Sequence, residues 1–261
     1  MEMIFDSHTH TKFSADSDMA AADAVDRARK QGLGIVFTEH LDVDFPGEYD
    51  FSFDPEAYWR AYEPLRGKEV RLGVEVGMQR HVVEENKAFI RRVPFDQVIV
   101  ALHLLDGVDL YYPACYANKD KRTTYSAYLS DMRECLLLHP FGDVLAHIDY
   151  ITRYTGKIYE SPELGYADYR EGVDGVLRAC IETDTVLELN TRCLGDRHAA
   201  KELLPIYARY KALGGRYVTI GSDAHAAEAV GAYFALARDM MKAVGLTPVT
   251  FKERRIEIAE R

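Results

Sequence analysis

Short runs of apolar residues alternate along the chain with longer segments in which apolar positions recur every three or four residues. The runs are Met3–Phe5, Ile35–Phe37, Val70–Val76, Gln97–Leu102, Asp143–Ile148, Thr185–Leu189 and Tyr217–Ile220. Several are rich in Val and Ile, and all are short enough to be strands buried on both faces. Between them the helical period predicts helices over Ala20–Gln31, His81–Arg92, Thr124–Leu138, Tyr169–Glu182, Ala199–Leu213 and Glu228–Val244, with one more opening at Asp54-Pro55-Glu56. Their boundaries carry chemical signals. Asp18 is placed to cap the first helix and Gly32 to end it; Asp54 precedes a proline at the first helical position; Gly214-Gly215 closes Ala199–Leu213.

Seven strand-then-helix units without a linker-like interruption predict a single domain over residues 1–261 with a parallel sheet. Seven is close to the eight of a closed β/α barrel, and an open doubly wound sheet is the competitor. The long unpatterned stretches Leu41–Phe53 and Asp106–Arg122 each follow a strand, where functional loops belong. The chain has neither a glycine-rich dinucleotide fingerprint nor a phosphate-loop motif, which disfavours the nucleotide-binding versions of an open sheet.

Composition narrows the classes further. With 48% apolar and 28% charged residues in 261, collagen-like and disordered chains are excluded. An excess of 42 acidic over 32 basic side chains, net −10, argues against a long nucleic-acid track or a membrane surface as partner. No apolar stretch is long enough to span a bilayer, and the first residues lack the basic-then-apolar pattern of an export signal. Cys115, Cys135, Cys180 and Cys193 form no C-x-x-C pair and are read as reduced thiols, which points to the cytoplasm.

The chemistry sits just past the strands. Asp6, His8 and His10 follow the first, in Asp-Ser-His-Thr-His, and Glu39 and His40 the second. Glu75 lies in the third, His103 ends the fourth, His147 the fifth and Asn190 the sixth. Asp223 and His225 follow the seventh, in Gly-Ser-Asp-Ala-His. Thus six of nine histidines occupy equivalent places at the ends of five of the seven strands. In a parallel barrel these strand ends converge on one face. A lone strand-end histidine is most simply a hydrogen-bonded core imidazole. Six in register, joined by carboxylates, instead predict metal binding. Imidazole with carboxylate oxygen suits zinc, iron or manganese. Because side chains alternate along a strand, His8 and His10 share a face and can grip one ion together. The donors outnumber one four-coordinate site, so two or three ions sharing a bridging carboxylate are expected.

With these motifs the chain resembles the polymerase and histidinol phosphatase (PHP) superfamily, and within it the monofunctional histidinol-phosphatases. The resemblance runs through Asp-Ser-His-Thr-His, Thr-Glu-His, Gly-Val-Glu-Val-Gly, Val-Ala-Leu-His, Leu-Ala-His-Ile-Asp-Tyr-Ile-Thr-Arg-Tyr, Glu-Leu-Asn-Thr and Gly-Ser-Asp-Ala-His, nearly the whole chain. It implies a distorted seven-stranded (β/α)7 barrel with three metal ions at the C-terminal face of the strands. It further implies that His8, His10, Glu75 and Asp223 hold one ion, that Glu75 bridges to a second on His103 and His147, and that Asp16, His40 and His225 hold the third. Many relatives carry a histidine where this chain has Asp16.

The implied reaction is hydrolysis of a small phosphomonoester, foremost histidinol phosphate in histidine biosynthesis. A metal-bound water is the attacking group, and there is no covalent intermediate. Arg153, six residues past His147, is the candidate phosphate clamp, because a guanidinium fork matches phosphoryl oxygens. Asn190, His81, Arg192 and Arg197 are further candidates for substrate contact. Asp6 and Glu39 are placed to orient imidazoles or cap turns, and Tyr111, Tyr112 and Tyr116 to wall a pocket. His139 and His198 are expected at the surface. The proton donor to the leaving alkoxide, either a metal-bound water or a nearby residue, is left unassigned, as is the oligomeric state. The alternatives are a phosphoesterase of nucleotides or short single-stranded nucleic acid, a metal-binding accessory module without turnover, and, as an outsider, a metal-dependent amidohydrolase.

Overall fold

The computed structural model describes residues 3–258. Eleven strands are present: β1 (Phe5–Thr9), β2 (Gly34–Leu41), β3 (Val70–Gly77), β4 (Gln97–Ala101), β5 (Leu104–Leu105), β6 (Val108–Asp109), β7 (Val144–Leu145), β8 (Val186–Asn190), β9 (Tyr217–Gly221), β10 (Thr247–Lys252) and β11 (Arg255–Ile258). The helices are α1 (Ala21–Lys30), α2 (Pro55–Tyr62), α3 (Val83–Ile90), α4 (Lys121–Leu138), α5 (Thr152–Thr155), α6 (Arg170–Glu182), α7 (Arg197–Leu213) and α8 (Phe234–Val244).

Nine strands form one sheet in the order β1-β2-β3-β4-β7-β8-β9-β10-β11, while β5 and β6 make a separate hairpin. The first eight are paired in parallel and only β11 is antiparallel to its neighbour. The expectation of seven strands is therefore corrected: the seven are present, and β10 and β11 extend the sheet beyond them. Nor does a continuous ladder close it. Between β1 and the segment after β9 there is one bridge, Thr9 to Ala224, with Asp223 N donating to His8 O at 2.8 Å and His10 N to Ala224 O at 2.9 Å.

Burial explains why these runs are strands. Every residue of β1, β2, β3, β4 and β8 is buried, so each strand is covered on both faces, which is why their apolar stretches do not alternate with polar ones. The helices supply the outer cover, with α4, α6, α7 and α8 packing in succession. A smaller interior cluster of Ile99, Ala101, Val144, Ala146 and Val186 is roofed by Val249 and Phe251 of β10. The β10–β11 turn is fastened at the start of the parallel strands: Glu253 N donates to Asp96 Oδ1 at 3.0 Å, and Arg254 to Asp143 and to Phe141 O.

Three helices, α2, α4 and α7, start at a capping aspartate, and the other five start without a side-chain cap. Asp54 caps α2 by accepting from Glu56 N at 3.0 Å, and Asp120 caps α4 through Thr123 N at 2.9 Å, interactions worth about 1 kcal/mol each. Helix α1 instead begins after Ala20 without a side-chain cap, so Asp18 does not have the expected role. The helix expected over Glu228–Val244 is broken, because Gly231 and Tyr233 take left-handed backbone at φ 70° and 58° and α8 starts only at Phe234. No helix among the described residues is long and apolar enough to cross a membrane.

Candidate active site

All the candidate ligands come together where the parallel strands end. His8 lies on β1 and His10 just beyond it. His40 and Glu75 are on the neighbouring strands β2 and β3, paired directly across the ladder. His103 and His147 follow β4 and β7, and Asp223 and His225 follow β9. Asp16 comes from the loop between β1 and α1. Asp223 turns inward from a left-handed backbone, φ 54°, a region in which Asp is one of the more tolerant residues.

Glu75 is the hub. Its Oε2 lies 3.2 Å from His8 Nε2, 3.5 Å from His10 Nε2 and 3.0 Å from His40 Nδ1. Its Oε1 lies 3.3 Å from His103 Nε2 and 3.0 Å from His147 Nε2. Asp223 Oδ1 is 3.4 Å from His10 Nε2 and 3.6 Å from His225 Nδ1. Asp16 Oδ2 spans His225 Nε2 at 3.1 Å and His40 Nε2 at 3.6 Å.

Burial would raise the Glu75 carboxyl, but His8, His103 and His40 outweigh it and hold Glu75 well below the usual carboxylate range. Burial is likewise overcome at Asp223, where Arg153 and His8 keep the group ionised. His10 goes the other way: burial, then His40 and His225, push it well down, so it is neutral. For His40, burial is outweighed by Glu75 and Asp16 and the imidazole is pushed up to about 10.

Four sets of donors have their ligating atoms within 4.8 Å of one another: His10, His40 and His225; His8, Glu75 and His147; His8, His10 and Asp223; and His40, Asp42 and His103. His8 Nε2, His10 Nε2, His40 Nδ1 and Glu75 Oε2 are buried without a hydrogen-bond partner. Buried polar atoms are rarely left so. Four converging ones, all imidazole nitrogen or carboxylate oxygen, are a donor set that fits divalent metal.

Three carboxylates around the cluster set the imidazoles. Glu188 Oε1 pairs with His8 Nδ1 at 2.7 Å, and its Oε2 accepts from His147 N at 2.8 Å and Asn190 Nδ2 at 3.2 Å. Asp42 Oδ1 pairs with His103 Nδ1 at 2.8 Å. Glu39 acts through Ser14, whose hydroxyl donates to Glu39 at 2.7 Å and so accepts from His10 Nδ1 at 3.2 Å. Such partners fix which ring nitrogen carries the proton. Asp6 does not face an imidazole; it accepts from Ser222 N, Ser222 Oγ and Gly231 N and ties the segment after β9 to β1.

The substrate candidates divide. Arg153 is nearly buried; its Nη1 donates to Asp223 Oδ2 at 2.6 Å and its Nη2 to Asn190 Oδ1 at 3.0 Å. Its guanidinium lies 4.9 Å from the Tyr150 ring centre, and that ring is 4.7 Å from His147. Arg192 is half exposed and reaches Asp223 O at 3.4 Å. His81 stays outside the cluster, exposed and paired with Asp44 at 3.3 Å, because β3 has ended four residues earlier and the chain has turned outward. Arg197 is exposed in the first turn of α7 and does not join the cluster, because Asp196 caps that helix and turns residue 197 to solvent. Tyr111 and Tyr112 are exposed, while Tyr116 is buried and donates to Leu110 O at 2.6 Å. His139 is fully buried, not a surface residue: Nδ1 pairs with Cys135 O at 2.7 Å, and Asn86 Nδ2 lies 3.3 Å from Nε2.

Glu188 and Asp42 were missed by sequence reasoning. For Glu188 a signal existed, a carboxylate flanked by Val186, Leu187 and Leu189 in a strand read as buried; Asp42, in a polar loop, gave none.

Comparison with known proteins agrees with this geometry. The PHP domain family model matches residues 6–192. A protein from Clostridium acetobutylicum named "Probable histidinol-phosphatase" is 41% identical over 98% of this chain and 100% of its own length. The histidinol-phosphatase of Lactococcus lactis is 30% identical over 97% of this chain and 96% of its own. The crystal structure of histidinol phosphate phosphatase from Lactococcus lactis, complexed with zinc, L-histidinol and phosphate, has a TM-score of 0.90 at 29% identity, covering 97% of this chain and 98% of that one. With the family match running through the strands that carry the histidines, the chain belongs to the PHP domain family, in its histidinol-phosphatase branch.

Proposed function

We propose that this protein is a metal-dependent phosphomonoesterase whose substrate is L-histidinol phosphate, cleaved with water to L-histidinol and phosphate. One observation carries the proposal: a buried carboxylate, Glu75, has five imidazole nitrogens within 3.5 Å, several lacking any other partner. The ligand-bound relative supports the substrate.

In this reading His8, His10, Glu75 and Asp223 hold one ion, Glu75 bridges to a second on His103 and His147, and Asp16, His40 and His225 hold a third. Zinc, iron or manganese fits these donors. When bound, such ions lower the pKa of water to about 7 and neutralise phosphoryl oxygens. The chain supplies the rest. Arg153, held between Asp223 and Asn190, presents a planar cation beside the cluster, and its buried Nε has no partner among the described residues. A guanidinium held beside the donor cluster places a positive charge suited to a phosphoryl group. Arg192, half exposed and paired with Asp223 at 3.7 Å, adds a second positive charge at the rim. Tyr150, beside His147 and backed by Tyr154, offers an aromatic wall for the imidazole ring of the substrate.

We read the chain as one domain whose curled, mostly parallel sheet is a distorted β/α barrel, extended beyond the seven expected strands by β10 and β11. We place it in the cytoplasm, acting on a small ester and not on long nucleic acid. The test is phosphate release from histidinol phosphate and from a panel of nucleoside monophosphates, after loading with zinc, manganese or iron. The expected result is the highest kcat/KM on histidinol phosphate. A higher value on any nucleotide refutes the substrate, and no metal-dependent release from any ester refutes the activity.

A further inference from the structure

Two glycines end strands that flank the metal cluster: Gly77 on β3 and Gly221 on β9. Neither takes the left-handed backbone that glycine adopts easily; among the described glycines that conformation belongs to Gly32, Gly107, Gly214, Gly231 and Gly245. Backbone conformation thus gives no reason for glycine at 77 or 221. Space does. A Cβ on Gly77 would lie 1.9 Å from Asp42 Oδ1 and 2.6 Å from Asp42 Cγ. A Cβ on Gly221 would lie 2.3 Å from Glu188 Oε1 and 2.5 Å from His8 Cβ. In each case the oxygen in the way is the one that bonds an imidazole: Asp42 Oδ1 to His103 Nδ1 at 2.8 Å, and Glu188 Oε1 to His8 Nδ1 at 2.7 Å.

We infer that Gly77 and Gly221 are spacers that admit Asp42 and Glu188, and that these carboxylates are positioning residues that keep the proton of His103 and His8 on Nδ1 and leave Nε2 free toward Glu75. The geometry is the same at both places. A carboxylate reaches from one strand end into the gap beside a glycine on another, and the imidazole it holds points its far nitrogen at one carboxylate, with His103 Nε2 3.3 Å from Oε1 and His8 Nε2 3.2 Å from Oε2. A neutral imidazole has one donor and one acceptor nitrogen, so holding the donor at Nδ1 makes Nε2 the ligand atom. The Glu188 carboxylate is itself pinned, and residue 42 is anchored through its backbone. Glu188 accepts two further hydrogen bonds, and Asp42 N donates to Phe51 O at 2.7 Å. Neither ring can turn over without breaking its Nδ1 contact to the carboxylate. The inference rests on the metal-binding reading of the cluster.

Gly77 gives the cleaner test, because a Cβ at Gly221 also meets His8 directly. Zinc affinity of Gly77→Ala, Asp42→Ala and the double variant is measured by chelator competition, alongside ¹⁵N NMR of the zinc-loaded proteins to read which imidazole nitrogen bears the proton. Each single change is expected to weaken zinc binding about 10- to 100-fold, the usual cost of losing a partner of a metal-ligating histidine. The double variant is expected to bind no worse than the weaker single, since the shortened side chain at position 42 no longer fills the gap. Gly77→Ala within twofold of wild type, or losses that multiply in the double variant, overturns the inference. Asp42→Ala opens space and introduces no clash, so it keeps the question open to measurement even if Gly77→Ala fails to fold. His103 retaining Nδ1–H and zinc affinity in Asp42→Ala overturns it too. Wild-type protein that binds no zinc overturns the metal reading beneath it instead.

Discussion

Replacing Arg153 with Ala separates two jobs that its geometry assigns to one side chain. The guanidinium neutralises Asp223, donating at 2.6 Å to a carboxylate that is almost entirely buried, and in the proposed function it also meets the phosphoryl group. Breaking a buried ion pair from one side leaves the other charge uncompensated, at about 3–5 kcal/mol. For a chain of this size each kcal/mol moves Tm by about 2–4 °C, so the metal-free variant is expected to melt roughly 6–20 °C below the metal-free wild type. With metal loaded, Asp223 regains an opposite charge and most of that loss should vanish. Catalysis should not recover with it. Removing one preorganised donor to a developing oxyanion costs about 10²–10³ in rate, and kcat/KM of Arg153→Ala on histidinol phosphate should fall by that order while metal content stays at the wild-type level. Arg153→Lys should restore the melting temperature of the metal-free protein more fully than it restores kcat/KM, because an ammonium is a point charge and cannot present two parallel donors. Differential scanning fluorimetry with and without zinc, metal analysis and steady-state phosphate release read all three quantities. If kcat/KM of Arg153→Ala stays within threefold of wild type, Arg153 is a structural counter-ion and the clamp is refuted. If activity and metal content fall together, its role lies in the metal site.

Two further outcomes follow from the charge arrangement. In the metal-free protein His40 is pushed up to about 10, and His8 and His103 also lie well above the usual imidazole range, each because buried carboxylates outweigh burial. These raised values stabilise the metal-free fold fully below about pH 6.5, and for His40 the contribution is lost as pH rises through about 10. Ligation requires neutral imidazoles, so zinc uptake at pH 7.5 should release protons and tighten as pH rises; titration calorimetry in buffers of different ionisation enthalpy measures this, and an apparent enthalpy independent of buffer refutes it. At the opposite end of the sheet, Arg254→Ala strips Asp143 of its charged partner, leaving only Val98 N, and should lower stability by about 1.5–3 kcal/mol, the worth of a hydrogen bond to a charged group, with kcat/KM unchanged. A change under 0.5 kcal/mol in urea denaturation, or a loss of turnover in folded protein, contradicts the separation of the two ends.

What could be read from the chain was what repeats along it. Strands buried on both faces appear as apolar runs, and parallel strands deliver their C-terminal ends to one side, so His8, His40, His103 and His147 announce a common site before any coordinates exist. The features that escaped depend on the third dimension. The β10–β11 turn, Glu253-Arg254, has both residues at positive φ, 50° and 63°, as a two-residue hairpin turn requires. It lacks the Asn-Gly signature because the Arg254 side chain is spent on Asp143 and Phe141 O. Residue choice there answers a tertiary contact and overrides local turn preference. His139 was misplaced for a similar reason: a histidine before a proline looks like a surface helix end, and only packing reveals that Cys135 O and Asn86 satisfy both ring nitrogens in the interior. Glu188 is the instructive case between these. A carboxylate in a strand covered on both faces carries a desolvation cost that nothing local repays, so its presence in Val186–Asn190 already demands a partner from elsewhere in the chain, and His8, 180 positions away, is that partner. A buried acid in an apolar strand is thus as strong a pointer to a site as the histidines themselves. The glycine facing it, Gly221, then follows from the volume the acid needs.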